Sequence, residues 1–208
     1  MPTTITAATP LKAAAAAFVF AVASGHLISC APPETAVVQA PARATVIMEG
    51  AERCGARMRM VQHVDAEFCI DTYEWPGFED HPELVGFEHA ERICSRRGAR
   101  LCSEREWERA CRGLEGSLYP YGDQYTPGTC ATESAQPTLA GMHNTCRSSF
   151  GVYDLSGNAA EWVQGALLKG GDAQADAFSS RCGARRTERE PSGPTFRGVR
   201  CCKELSTM

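Results

Sequence analysis

Gly151–Trp162, GVYDLSGNAAEW, is the stretch whose reading decides the fold. Val152 and Tyr153 read as a short strand that turns through Ser156-Gly157-Asn158 into a segment ending on Glu161-Trp162. Ser-Gly-Asn is turn chemistry, because Gly and Asn tolerate positive φ. The turn folds two carboxylates, Asp154 and Glu161, back toward each other with main-chain carbonyls between them. Oxygen-only ligands on a tight loop are what a hard cation such as calcium prefers, although this is not an EF-hand pattern. The competing reading is a capped turn whose carboxylates face solvent. Trp162 is expected to anchor the loop by burying its ring.

Outward from this stretch, the first thirty residues stand apart from the fold. Residues 1–30 hold no acid and one Lys or Arg, Lys12, followed by the apolar run AAAAAFVFAVA and then Leu27-Ile28-Ser29-Cys30. That pattern describes an export signal rather than a membrane span. The ending LISC resembles a bacterial lipobox, which makes Cys30 the expected lipidated first residue of a mature envelope lipoprotein, with the outer membrane as its destination. Residues 31–53 open with APPETAVVQAPARATVIMEG and read as an extended tether. Residues 54–208 form one domain of about 150 residues, long enough to bury a core.

Without the leader, 20 basic side chains face 25 acidic ones, a net charge of −5 that argues against a nucleic-acid partner. Ten cysteines remain, at 54, 69, 94, 102, 111, 130, 146, 182, 201 and 202. An even, dense set in an exported chain is a disulfide framework. Zinc is the competing use, but no paired CxxC spacing is present.

Local patterns give the remaining elements. Phe68–Trp75 alternates and stops at Pro76-Gly77, which reads as a strand and turn. Phe87, Ala90, Ile93 and Cys94 share one helical face, with Gly98 ending the helix. A second helix opens at Ser103, with Glu106 completing a capping box and Cys102 packing on Trp107. Its inner face is Trp107, Ala110 and Cys111, and Gly113 stops it. Residues 113–150 are rich in turn formers and should be ordered mainly by disulfides, and short strands are expected from Lys169 to Cys202.

Six blocks, GARLCSEREWERACRG (98–113), YPYG (119–122), GVYDLSGNAAEW, KGG (169–171), RCGARR (181–186) and GVRCC (198–202), together resemble the formylglycine-generating-enzyme, or sulfatase-modifying factor, family. The resemblance implies an α+β, C-type-lectin-like variant, loop-rich and disulfide-stapled. It also implies the bridges Cys94–Cys201 and Cys111–Cys182, and a calcium loop on Asp154, Gly157, Ala159 and Glu161. Cys130–Cys146 is a further pair, expected from closeness in an otherwise unsupported loop; Cys54, Cys69, Cys102 and Cys202 are expected to make the remaining two of five bridges, in pairings these arguments do not rank.

Departures from the family pattern bear on function. Active members oxidise a sulfatase cysteine with copper held by a Cys-x4-Cys pair between the KGG-like block and RCGARR. Here that interval, 172–181, has no cysteine, and Ala160 stands where active members carry a tryptophan. Copper is therefore not expected, because Cu(I) requires soft thiolate ligands. The family's other calcium loop has no clear counterpart in Thr129–Gln136. The function implied is a surface-tethered, non-catalytic module that binds a protein, peptide or glycan partner. The alternative is an oxidoreductase of the same family. His63, His81, His89 and His143 are scattered singly and offer no metal constellation, and the arginines at 181, 185, 186, 189, 197 and 200 read either as an anion-binding surface or, more commonly, as a solvated rim paired with Glu188, Glu190 and Glu204.

Overall fold

A computed structural model of the chain describes residues 52–64, 67–189 and 193–205. The leader, Cys30 and the tether up to residue 51 lie outside the described residues. Among the described residues no helix is long and apolar enough to cross a membrane.

Among the described residues, two helices of more than one turn and two four-stranded sheets form the frame of the domain. The first sheet holds β1 (Met58–Gln62), β2 (Glu67–Asp71), β3 (Arg100–Leu101) and β8 (Cys201–Glu204), in the order β1-β2-β8-β3 and antiparallel throughout. The second holds β4 (Ala160–Val163), β5 (Leu167–Lys169), β6 (Arg185–Thr187) and β7 (Arg197–Val199), in the order β6-β5-β4-β7, with β4 and β7 parallel.

Helix α1 spans Phe87–Arg96 and presents Ala90, Ile93 and Cys94 inward, with Phe87 against the edge of Trp162 at 5.6 Å. Helix α2 spans Glu104–Arg112. Its capping box is complete: the Ser103 hydroxyl accepts from the Glu106 N–H at 3.3 Å, and the Glu106 carboxylate accepts from the Ser103 N–H at 2.8 Å. The inward face of α2 is Trp107, Ala110 and Cys111, and it ends at Gly113, where φ is 68°. Between α2 and β4 the chain forms turns and isolated bridges only.

The strand expected over Phe68–Trp75 ends at Asp71 instead. Beyond it, the Thr72 carbonyl accepts from the Tyr153 N–H and the Trp75 N–H donates to the Val199 carbonyl. These bonds carry the chain away from the first sheet toward the second, so alternation outlasts the ladder.

The two largest apolar clusters lie around the sheets. Phe68, Ile70, Cys102, Trp107, Val163 and Cys202 belong to one, and Ile93, Cys94, Leu101, Trp162, Leu168 and Cys201 to the other. Adjacent residues of a strand point to opposite faces, so Cys201 and Cys202 serve different clusters. Cys201 bonds Cys94 of α1, and Cys202 bonds Cys102 at the start of α2. Cys111 bonds Cys182, Cys130 bonds Cys146 and Cys54 bonds Cys69. The bridges Cys54–Cys69 and Cys102–Cys202 supply the pairings that sequence left open.

Candidate functional site

The stretch 151–162 closes over a buried polar centre. Its turn depends on Gly157, at φ 79°, because a Cβ there would sit 2.1 Å from the Ala131 carbonyl oxygen. Asp154 and Asn158 also take positive φ, 58° and 60°. The turn delivers Asp154, Asn158 and Glu161 to one interior, where each is at most 4 % exposed. Glu74 and Arg200 join them from distant segments, both fully buried.

Arg200 is the cation of this centre. Its Nε and Nη2 donate to the Glu161 carboxylate at 2.7–2.9 Å, and its Nη1 and Nη2 donate to the carbonyls of Asp71 and Tyr153 at 2.8 and 2.7 Å. The indole Nε1–H of Trp107 also donates to Glu161 Oε2. Burial works against the Arg200 charge, but the Glu161 carboxylate outweighs it and the pKa is raised. Arg200 is thus a core residue, not part of the rim. Of the other arginines in that set, Arg197 pairs with Glu188 at 2.7 Å and Arg185 with Glu104 at 3.6 Å, whereas Glu204 pairs with Arg100.

The other carboxylates hold main chain. Glu74 accepts from the Asn158 side-chain amide and from the Ala159 N–H at 3.1 Å. Asn158 in turn accepts from the Thr138 N–H at 2.8 Å, and Asp154 Oδ2 accepts from the Gly141 N–H at 2.7 Å. Burial first, then the Asp154 and Glu161 charges, push the Glu74 carboxyl well above its usual range. Burial also pushes Asp154 up to about 6, against the lowering by the Gly141 N–H and Arg200. Three carboxyls share one guanidinium, so both Glu74 and Asp154 hold a proton more readily than an exposed acid does.

The donor types of Asp154, Gly157, Ala159 and Glu161 suit a hard cation. Yet both oxygens of Glu161 face Arg200, so this set fits calcium only if the guanidinium gives way. Among the described residues no group of three or more His, Cys, Asp and Glu side chains is placed to hold a metal.

The segment 172–181, where the active family would place its thiolates, is folded onto its neighbours by main-chain bonds. Asp172 accepts from the N–H groups of Gln174, Thr195 and Phe196 at 3.1, 2.6 and 3.0 Å. The Ala173 carbonyl accepts from Ser134 N–H at 2.7 Å, and the Ala175 carbonyl from Glu133 N–H at 3.2 Å. All ten cysteines from Cys54 to Cys202 are in disulfides.

Sequence reasoning missed Glu74, Arg200 and the buried Lys169. Lys169 is 1 % exposed, and its Nζ lies 3.3 Å from Glu104 and Glu108 and 5.8 Å from the Trp107 ring centre. Three charged residues inside buried strands or turns were the available signal, but nothing local separates them from exposed ones.

Comparison with known proteins places this geometry. The model of one family, described as the sulfatase-modifying factor enzyme 1-like domain, matches residues 52–205. The chain is 35 % identical over 92 residues to the inactive C-alpha-formylglycine-generating enzyme 2 of Bos taurus, covering 38 % of this chain and 31 % of that one. It is 32 % identical over 100 residues to the formylglycine-generating enzyme of Bos taurus, covering 40 % and 27 %. The chain therefore spans less than a third of the length of these relatives. In structure it is similar to PvdO from Pseudomonas aeruginosa, with a TM-score of 0.55, 16 % identity and 71 % and 90 % of the two chains covered. It is also similar to the Major Tropism Determinant M1 variant, with a TM-score of 0.50, 14 % identity and 74 % and 56 % coverage. The fold is accordingly α+β and C-type-lectin-like.

Proposed function

Because this chain belongs to the sulfatase-modifying factor enzyme 1-like family, yet has every cysteine of its domain in a disulfide, we propose that it is a non-catalytic binding module. The disulfide state is the observation that carries the reading. A copper-thiolate oxidase needs sulfurs that are reduced and can ionise, and a disulfide sulfur is neither. Similarity to a relative named as inactive supports the same reading. The partner class is a protein, peptide or glycan of the cell envelope.

The test supplies purified protein with copper, oxygen and a peptide carrying Cys-x-Pro-x-Arg. The peptide cysteine should remain unconverted by mass spectrometry. Conversion above a control without protein would establish the oxidoreductase alternative.

Two further parts belong to this proposal. The module is held at the bacterial envelope, and at the outer membrane if the cell has one, through a lipid on Cys30, supported by the LISC ending of the leader. A fatty-acid probe should label the wild type and not Cys30→Ala, and an unlabelled wild type would end the idea. Calcium is the further proposal for Asp154, Gly157, Ala159 and Glu161, where it would have to displace the Arg200 guanidinium from Glu161. Ligand binding to the folded state alone stabilises by about 2.7 kcal/mol at a hundredfold excess over Kd. Calcium should thus raise the Tm of the wild type more than that of Glu161→Ala, and equal responses would remove Glu161 from the site.

A further inference from the structure

A cleft of about 280 Å³ opens between the start of β1 and the loop Thr72–Asp80, lined among others by Arg57, Arg59, Thr72, Tyr73, Trp75 and Phe78. The Thr72 N–H donates to the Arg57 carbonyl at 2.9 Å, which extends the β1 ladder by one residue. Arg57 lies in the turn closed by the Met58 N–H on the Gly55 carbonyl at 3.1 Å, Arg59 follows on β1, and both line the cleft. A Cβ on Gly151 would lie 3.5 Å from Arg59 Nε, so this guanidinium crosses that glycine.

Charge in the cleft is unbalanced. Neither Arg57 nor Arg59 has an ion-pair partner among the described residues. Asp71 is already bound by Arg97 at 2.6 and 2.7 Å, and Glu74 is held inward by Asn158 and Ala159. Asp80, exposed at the rim, is the one other carboxylate in the lining.

A second observation is independent of charge. Thr72 is 2 % exposed, and its hydroxyl has no hydrogen-bond partner. A buried hydroxyl without a partner is unfavourable, and a bound group or water is what ordinarily satisfies it. The third observation is apolar. Tyr73 stacks on Tyr153 at 4.9 Å and meets Phe78 at 5.1 Å, while Phe78 stays 54 % exposed. An exposed ring beside two unpaired guanidinia suits a ligand with a flat apolar body and an anionic end.

We propose that this cleft binds a small aromatic ligand bearing an oxyanion, either a carboxylate or a phosphate. Arg57 and Arg59 hold the anion through their forked N–H groups, and Phe78 and Tyr73 cover the ring. The volume of about 280 Å³ lies just below the range of drug-sized ligand pockets, about 300–1,000 Å³, so the cleft takes one ring rather than a chain of residues. The proposal rests on the binding-module reading only in taking the ligand to be held and not converted.

Fluorescence offers a direct test. Trp107 and Trp162 are fully buried, so Trp75, which lines the cleft, is the indole a ligand would perturb. The probes are benzoate and phenyl phosphate, with acetate, inorganic phosphate and benzyl alcohol as single-feature controls. A saturable change with at least one aryl anion is expected, and the tighter of the two identifies carboxylate or phosphate as the anion. The double variant Arg57→Ala/Arg59→Ala should weaken it by about tenfold or more while melting as the wild type does. Phe78→Ala should weaken aryl anions and leave the response to the simple anions unchanged. Acetate or phosphate binding as tightly as its aryl counterpart would reduce the cleft to an adventitious anion contact and overturn the proposal. Absence of saturable binding by either aryl anion would also overturn it, and would leave the non-catalytic reading intact. Conversion of the thiol peptide alongside normal aryl-anion binding would do the reverse.

Discussion

The two sheets with their helices and the long loop between α2 and β4 solve the same problem by different means. In the first region main-chain groups pair along ladders and helices, and apolar faces meet between them. In the loop there are no ladders, so buried side chains take the place of strands: Asp154 captures Gly141, Asn158 captures Thr138, and Glu74 captures Asn158 and Ala159. Buried N–H groups must find acceptors somewhere. Where sequence denies regular structure, carboxylates and an amide supply them, and Arg200 keeps the resulting charge tolerable.

The bridges sharpen this contrast first. Cys94 and Cys201 are 107 residues apart, and in the chain-entropy model closing such a loop stabilises by about 4–5 kcal/mol. Cys130–Cys146 closes only 16 residues and should contribute about 3 kcal/mol. Chemical denaturation of the two paired Cys→Ser variants should show that order. Equal losses would mean that the loop depends on its bridge as heavily as the sheets do on theirs.

Breaking the polar centre comes next. Arg200→Met leaves Glu161 buried without its cation, which costs about 3–5 kcal/mol, and the combined Arg200→Met/Glu161→Leu should recover part of that. A loss below 1 kcal/mol for the single variant would show that Arg200 does not hold the centre together.

The capping box made α2 legible, since Ser103 and Glu106 are three residues apart and their bonds are local. Three of the five bridges were legible, because family resemblance supplied two pairings and loop closeness a third. Arg200 was not: its partner Glu161 is 39 residues away, and nothing near Arg200 distinguishes it from the solvated arginines. Glu74 was hidden in an alternating run for the same reason, its amide partner lying 84 residues on. Asp154 and Glu161 were brought to one interior as the turn implied, but what neutralises Glu161 there comes from β7's far end. Local pattern fixes elements; charge burial depends on contacts that only the fold makes.

The smallest effect is in pH. The carboxyl of Asp154 is raised in the folded state to about 6 from an ordinary 3.8. A raised acid binds its proton more tightly when folded, so its contribution is fully present below the unfolded value and falls as pH rises through about 4 to 6. Glu74 is raised too and acts in the same direction. In calcium-free buffer, Asp154→Asn should flatten the loss of stability across that window, because the amide oxygen can still accept from Gly141. An unchanged pH profile would place the Asp154 charge elsewhere.

The most direct measurement is a thiol count. Residues 31–208, made in an oxidising compartment and unfolded without reductant, should react with no thiol reagent, because five bridges hold all ten cysteines. Two reactive thiols per chain in the unreduced protein would contradict the account, because the non-catalytic reading rests on every sulfur of the domain being oxidised.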